Sequence, residues 1–133
     1  MKIYDCTTYH SEDLMIDIRL NILNEHVHKF IIVESLFSHS GNKKKLNFDI
    51  NKFKKFKDKI IYLVIDKEPD DIDLSYKDNI PSNIKRLNSL KRIAQSYNYM
   101  QNGIEDASDE DLIILSDNDE IPNLNSTQLK NCK

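Results

Sequence analysis

Only two glycines, Gly41 and Gly103, occur in the chain, so neither the P-loop nor the G-x-G-x-x-G dinucleotide turn can be written anywhere in it. Any phosphate must be held by a metal, by cationic side chains or by helix ends. The two cysteines, Cys6 and Cys132, stand near opposite ends and make no metal-ligand spacing with each other or with the four histidines. Cys6 reads as a small buried apolar residue. The longest apolar run, residues 60–65, is far too short to cross a bilayer, and the start MKIYDCTTYH has no signal-peptide core. These absences predict a cytoplasmic chain without a membrane anchor. A net charge of −3 removes the basic footprint of a nucleic-acid binder. No internal repeat and no low-complexity segment breaks the sequence.

What is present describes one compact domain over residues 1–133, with 39% hydrophobic and 31% charged residues. Short apolar runs at 2–6 (KIYDC), 29–35 (KFIIVES), 59–66 (KIIYLVID) and 112–115 (LIIL) read as strands. Between the first two, Ser11, Glu12 and Asp13 open a helix running to about Asn24, with Leu14, Met15, Ile18 and Ile22 as its apolar set. Residues 37–46, with Gly41 and three successive lysines, read as a loop, and Phe53 and Phe56 as the buried pair of a short helical stretch over 48–57. Residues 68–79 are an acidic excursion bracketed by Pro69 and Pro81. The longest helix starts at Pro81 and Ser82 and stops at Asn102-Gly103, with Ile84, Leu87, Leu90, Ile93, Ala94, Tyr97 and Met100 as its apolar face. A further helix is predicted after Pro122. Alternating strands and helices imply an α/β fold with a mostly parallel sheet and helices on both faces.

In a parallel sheet the strand ends share one edge, so Asp5, Glu34, Asp66 and the acids Asp117, Asp119 and Glu120 converge there. Such convergence raises carboxylate pKa values unless a cation compensates, and a divalent metal at Asp117 and Asp119, or a nearby Arg92, supplies one. The stretch DLIILSDNDEIP, residues 111–122, concentrates three of these acids in four positions at the end of a strand expected to be central and covered on both faces. Two carboxylates spaced D-x-D can hold a hard cation that keeps open positions for a diphosphate. The competing reading is an acidic turn whose side chains cap backbone groups. A Walker-B strand would need the absent P-loop. The aspartyl-phosphate phosphatase pattern places Thr or Val where Ile121 stands, and an EF-hand loop starting at Asp109 would lack its glycine.

Four ordered blocks carry a resemblance: IYDCTTYHSEDLMIDIRLNIL (3–23), KFIIVES with SGNKKKLNF, FKDKIIYLVID, and LIILSDNDEIP. Together they resemble glycosyltransferase family 17, the β-1,4-mannosyl-glycoprotein β-1,4-N-acetylglucosaminyltransferase family. The resemblance implies a GT-A-like fold, a UDP-sugar donor (UDP-N-acetylglucosamine in the named members), a divalent ion such as manganese or magnesium, and inverting transfer to a hydroxyl of a glycan acceptor. Carried over by position, Asp119 becomes the direct metal ligand and Asp117 a metal or ribose contact. Asp5, Glu34 and Arg92 become candidates on the nucleotide side. The family's E-x-x-Q-R-N-A pattern keeps only its Arg and Ala here, as Arg92 and Ala94, with Asn88, Lys91 and Ile93 in the other places. The general base and acceptor pocket of this fold follow the D-x-D, and eleven residues follow Pro122. The chain thus reads as the donor-binding half of a longer fold, with no base assigned. An inactive or partner-dependent nucleotide-sugar-binding domain, alone or as an oligomer, is the alternative reading.

Overall fold

The computed structural model describes residues 1–76 and 78–124. Its strands are β1 (Ile3–Thr8), β2 (Lys29–Ser35), β3 (Ile60–Ile65) and β4 (Leu112–Leu115). Helix α1 (Asp13–Leu23) joins β1 to β2, and α2 (Ser82–Tyr99) precedes β4. A 3-10 segment, Ile50–Lys59, leads into β3, broken at Phe53 by a non-helical backbone (φ −120°, ψ 35°). Asp49 starts it by accepting from the Asn51 N–H.

All strand pairs are parallel, in the order β3-β2-β1-β4. The chain steps outward from β1 through β2 to β3, then crosses back to lay β4 on the other side of β1. Alternate residues sort to the two faces. Ile3, Phe30, Ile32 and Ile60 meet Ile16, Leu20 and Leu23 of α1 together with Phe53 and Phe56, the predicted buried pair. Tyr4, Cys6, Ile31, Val33 and Ile65 meet Met100, with Tyr97 of α2 packed against them. Helical segments therefore cover both faces, and the α/β expectation holds. Burial pushes the Cys6 thiol up to about 12, as suits an inert packing residue.

Three expectations are corrected. The buried stripe of α1 is Ile16, Arg19, Leu20 and Leu23, whereas Leu14, Ile18 and Ile22 face solvent. The predicted face of α2 holds only at its end, where Tyr97 and Met100 pack against the sheet; Leu87 and Leu90 are exposed and Asn88 and Ser96 are buried. In both helices a polar side chain with a hydrogen-bond partner sits on the inner face, which a purely apolar periodicity misses. Strand β4 is at the sheet edge among the described residues, with Ile113 and Leu115 exposed, because β1 pairs on its other side with β2. The helix predicted after Pro122 falls largely on residues 125–133, outside those described.

Gly103 lies against β2, where a Cβ would come within 2.7 Å of Ile31 Cγ1. Gly41 has φ +90°, and a Cβ there would meet Arg92 Nη2 at 2.5 Å. No helix among the described residues is long and apolar enough to cross a membrane.

Candidate active site

Strand order 3-2-1-4 matches the first four strands of the doubly wound nucleotide-binding sheets, whose ligands sit beyond the carboxyl ends where the order reverses. Here that point lies between β1 and β4. A cleft of about 1120 Å³ opens along this edge. Its floor is Thr8, Tyr9 and His10 after β1. One wall is the loop after β2, including Phe37, His39, Gly41 and Lys44; the other is formed by residues 68–76 and the polar side of α2. Asn118, the middle residue of the D-x-D, closes one end.

Asp117 and Asp119 are exposed on the turn that follows β4. The turn is set by the Glu120 N–H donating to Asp117 O (3.0 Å), and by Asn118 Nδ2 donating to Thr8 O (3.4 Å). Tyr97 of α2 donates its hydroxyl to Asp117 Oδ1 at 2.6 Å. That bond to a carboxylate, with burial, pushes the Tyr97 phenol up to about 12, so it remains a donor through the physiological range.

Among the described residues no group of three His, Cys, Asp or Glu stands together as a metal cage. Two exposed carboxylates are an all-oxygen, partial donor set. This suits a hard cation such as Mg²⁺ or Mn²⁺ that keeps water and phosphate ligands, and it does not suit a closed zinc site.

The other predicted contacts divide. Asp5 is 1% exposed and bound in bidentate fashion to Arg19, with Nε–Oδ2 and Nη2–Oδ1 both 2.7 Å. Glu34 is 0% exposed and takes four donors: Lys44 Nζ (2.5 Å), Asn47 N (2.8 Å), Phe48 N (3.1 Å) and Tyr62 Oη (2.8 Å). Both carboxylates face the α1 layer and are buried on protein donors, whereas Asp117 and Asp119 are exposed; none of the four lines the cleft itself, which the acidic turn meets at Asn118. Arg92 does line the cleft, gripped by Glu68 at 2.7 and 2.9 Å while donating to His39 O at 3.1 Å. Lys85 and Arg86 stand beside it with no salt bridge to a carboxylate among the described residues, although Glu68 and Asp73 line the same wall.

Sequence reasoning took Tyr97 only as part of an apolar face and Asn88 only as the residue in the place of the family pattern's acid, and it assigned Arg19 no part in the site. Asn88 is 5% exposed and clamps the peptide of Asp73, accepting from its N–H and donating to its C=O, both at 3.0 Å. The available signal for Arg19 was its place in the 16-19-20-23 stripe of α1, opposite an acid that lies inside β1, since the strand runs on to Thr8 and Asp5 is not at the strand end where the sequence had put it.

No curated protein and no solved structure matches the chain. The family model described as Glycosyltransferase family 17 matches it over residues 1–133. An acidic strand end beside a cleft at the sheet's switch point is compatible with that match, and the chain belongs to glycosyltransferase family 17, whose chemistry is glycosyl transfer.

Proposed function

We propose that the cleft holds a nucleoside diphosphate sugar, a UDP-sugar with N-acetylglucosamine as the first candidate, for inverting transfer to a glycan hydroxyl on a GT-A-like scaffold. The observation that carries this reading is the position of the Asp117-Asn118-Asp119 turn at the β1/β4 switch point, against one end of the cleft. Asp117 and Asp119 would hold a divalent ion, manganese or magnesium, whose charge would stabilise the departing diphosphate. Tyr97 fixes the orientation of the Asp117 carboxylate through its hydroxyl. Lys85, Arg86 and Arg92 bring positive charge to the wall facing the phosphates. Phe37, on the loop wall, offers a half-buried ring suited to an aromatic base.

Calorimetric titration of the chain with UDP in the presence of manganese tests the reading. Metal-dependent binding is expected, reduced at least about 10-fold in Asp119→Ala. Binding that is absent, or unchanged in that variant, refutes it. A transfer assay with a glycan acceptor then separates an enzyme from a domain that binds the donor without turning it over.

A further inference from the structure

We infer that Arg19 is a positioning residue for the acidic turn: its buried guanidinium, oriented by Asp5, holds the backbone of residues 116–120 in the shape that presents Asp117 and Asp119. Arg19 is 1% exposed. One side of its fork is occupied by the Asp5 carboxylate, with Nε and Nη2 each at 2.7 Å. The remaining donors all go to one short stretch of chain. Nη2 reaches Ser116 Oγ at 2.6 Å, and Nη1 reaches the carbonyl oxygens of Asp117 (2.9 Å), Asn118 (3.4 Å) and Glu120 (3.0 Å).

A cation buried this deeply is costly unless every N–H finds an acceptor, and Asp5 alone would leave Nη1 bare. The backbone of the turn completes the shell, so the turn cannot leave without exposing that deficit. Carbonyl oxygens drawn inward at 117, 118 and 120 fix the backbone on either side of Asp119. The guanidinium also puts positive charge under a turn carrying three acids, without using any of their carboxylate oxygens. Asp5 neutralises Arg19, and Arg19 in turn organises oxygens that are not its own counter-charge. Lysine cannot replace it: an ammonium has three donors and no plane, and cannot serve a carboxylate and several carbonyls at once.

The positioning itself is independent of any ligand; its consequence for metal binding rests on the donor-site reading above. Two measurements on the full chain separate them. Hydrogen exchange at the Glu120 amide, which donates to the same Asp117 oxygen that Arg19 holds, reports the order of the turn without metal. Electron paramagnetic resonance of free manganese, titrated in the presence of UDP, reports the metal site. In Arg19→Lys, exchange at Glu120 is expected to accelerate about 10-fold or more, with manganese affinity falling about 10-fold. The core variant Phe56→Leu, matched for loss of stability, is expected to change neither. A folded Arg19→Lys protein with native exchange overturns the inference, as does a Phe56→Leu protein that reproduces the loss. Should Arg19→Lys fail to fold, Asp5→Asn decides, because the Asp5 carboxylate bonds only Arg19 among the described residues: faster exchange at Glu120, about 3-fold, supports the inference and an unchanged rate overturns it. A wild-type chain that binds no manganese with UDP refutes the proposed function alone, and the exchange measurement still judges Arg19.

Discussion

The loop after β2 and the segment after β3 rise from the same sheet edge and wall the same cleft, yet they are fastened by different physics. The first folds back onto Glu34, which is inaccessible to water and gathers two backbone N–H groups, a phenol and an ammonium. The second lies along α2 through Glu68 and Arg92, through Lys91 to the carbonyl of Asp71, and through Asn88 to the peptide of Asp73. Glu68 is 29% and Asp71 70% exposed. Charges at Glu34 act in a medium that screens little, whereas those at Glu68 and Asp71 are open to salt and water. One wall is therefore part of the core, and the other is held by contacts that can be exchanged for solvent at small cost.

Glu34→Ala is the strongest way to break this contrast. It strands the Lys44 ammonium, 14% exposed, and leaves the Asn47 and Phe48 amides and the Tyr62 hydroxyl without their acceptor. A loss of about 3–5 kcal/mol is expected, read from urea denaturation. A loss below about 1 kcal/mol would mean that the two walls are fastened alike.

This difference also marks where the sequence is legible. Strand content is plain from KFIIVES and IIYLVI: β2 is a nearly continuous apolar run, as a buried central parallel strand must be, and β3 is equally apolar although it is half-buried at the sheet edge among the described residues. The acids at the strand ends are equally visible. What each carboxylate faces is not, since Asp5, in mid-strand, and Glu34 point to the α1 side of the sheet while Asp117 and Asp119 lie beyond it. Their partners come from residues 10 to 28 positions away, Arg19 for Asp5 and the 44–48 and Tyr62 groups for Glu34. Apolar periodicity misassigned α1 and α2 for the same reason: Arg19 and Asn88 are buried because of what they bond, not because of what they are. The edge position of β4 was hidden as well, because LIIL reads as a central strand while Ile113 and Leu115 are left uncovered among the described residues.

Asn88→Ala sharpens the comparison at an intermediate scale. Among the described residues Asn88 is the most buried fastening of the segment after β3, and its amide matches both the N–H and the C=O of Asp73. Truncation leaves that peptide short of two partners, at a cost of about 1–3 kcal/mol that water entering from the open cleft will reduce. Hydrogen exchange at the Asp73 amide is expected to accelerate while amides of β2 keep their rates. Equal acceleration in both would make the segment part of the same cooperative unit as the sheet.

The smallest expected effect is a pH response confined to the weaker wall. Asp73 accepts from both the hydroxyl and the N–H of Ser75, and the hydroxyl bond, then the backbone bond, hold its carboxyl below the ordinary 3.8. A carboxylate depressed in the folded state stabilises it fully above the unfolded value and loses that contribution as pH falls through the folded one. The Ser75 amide resonance should therefore titrate below pH 3.8, and the titration should vanish in Asp73→Asn. Amides held by Glu34, at Asn47 and Phe48, should not follow the same curve, since their acceptor lies in a different wall. A shared midpoint for Ser75, Asn47 and Phe48 would show the two walls loosening together, and would replace the picture of a fixed wall facing a releasable one with that of a single acid-sensitive rim.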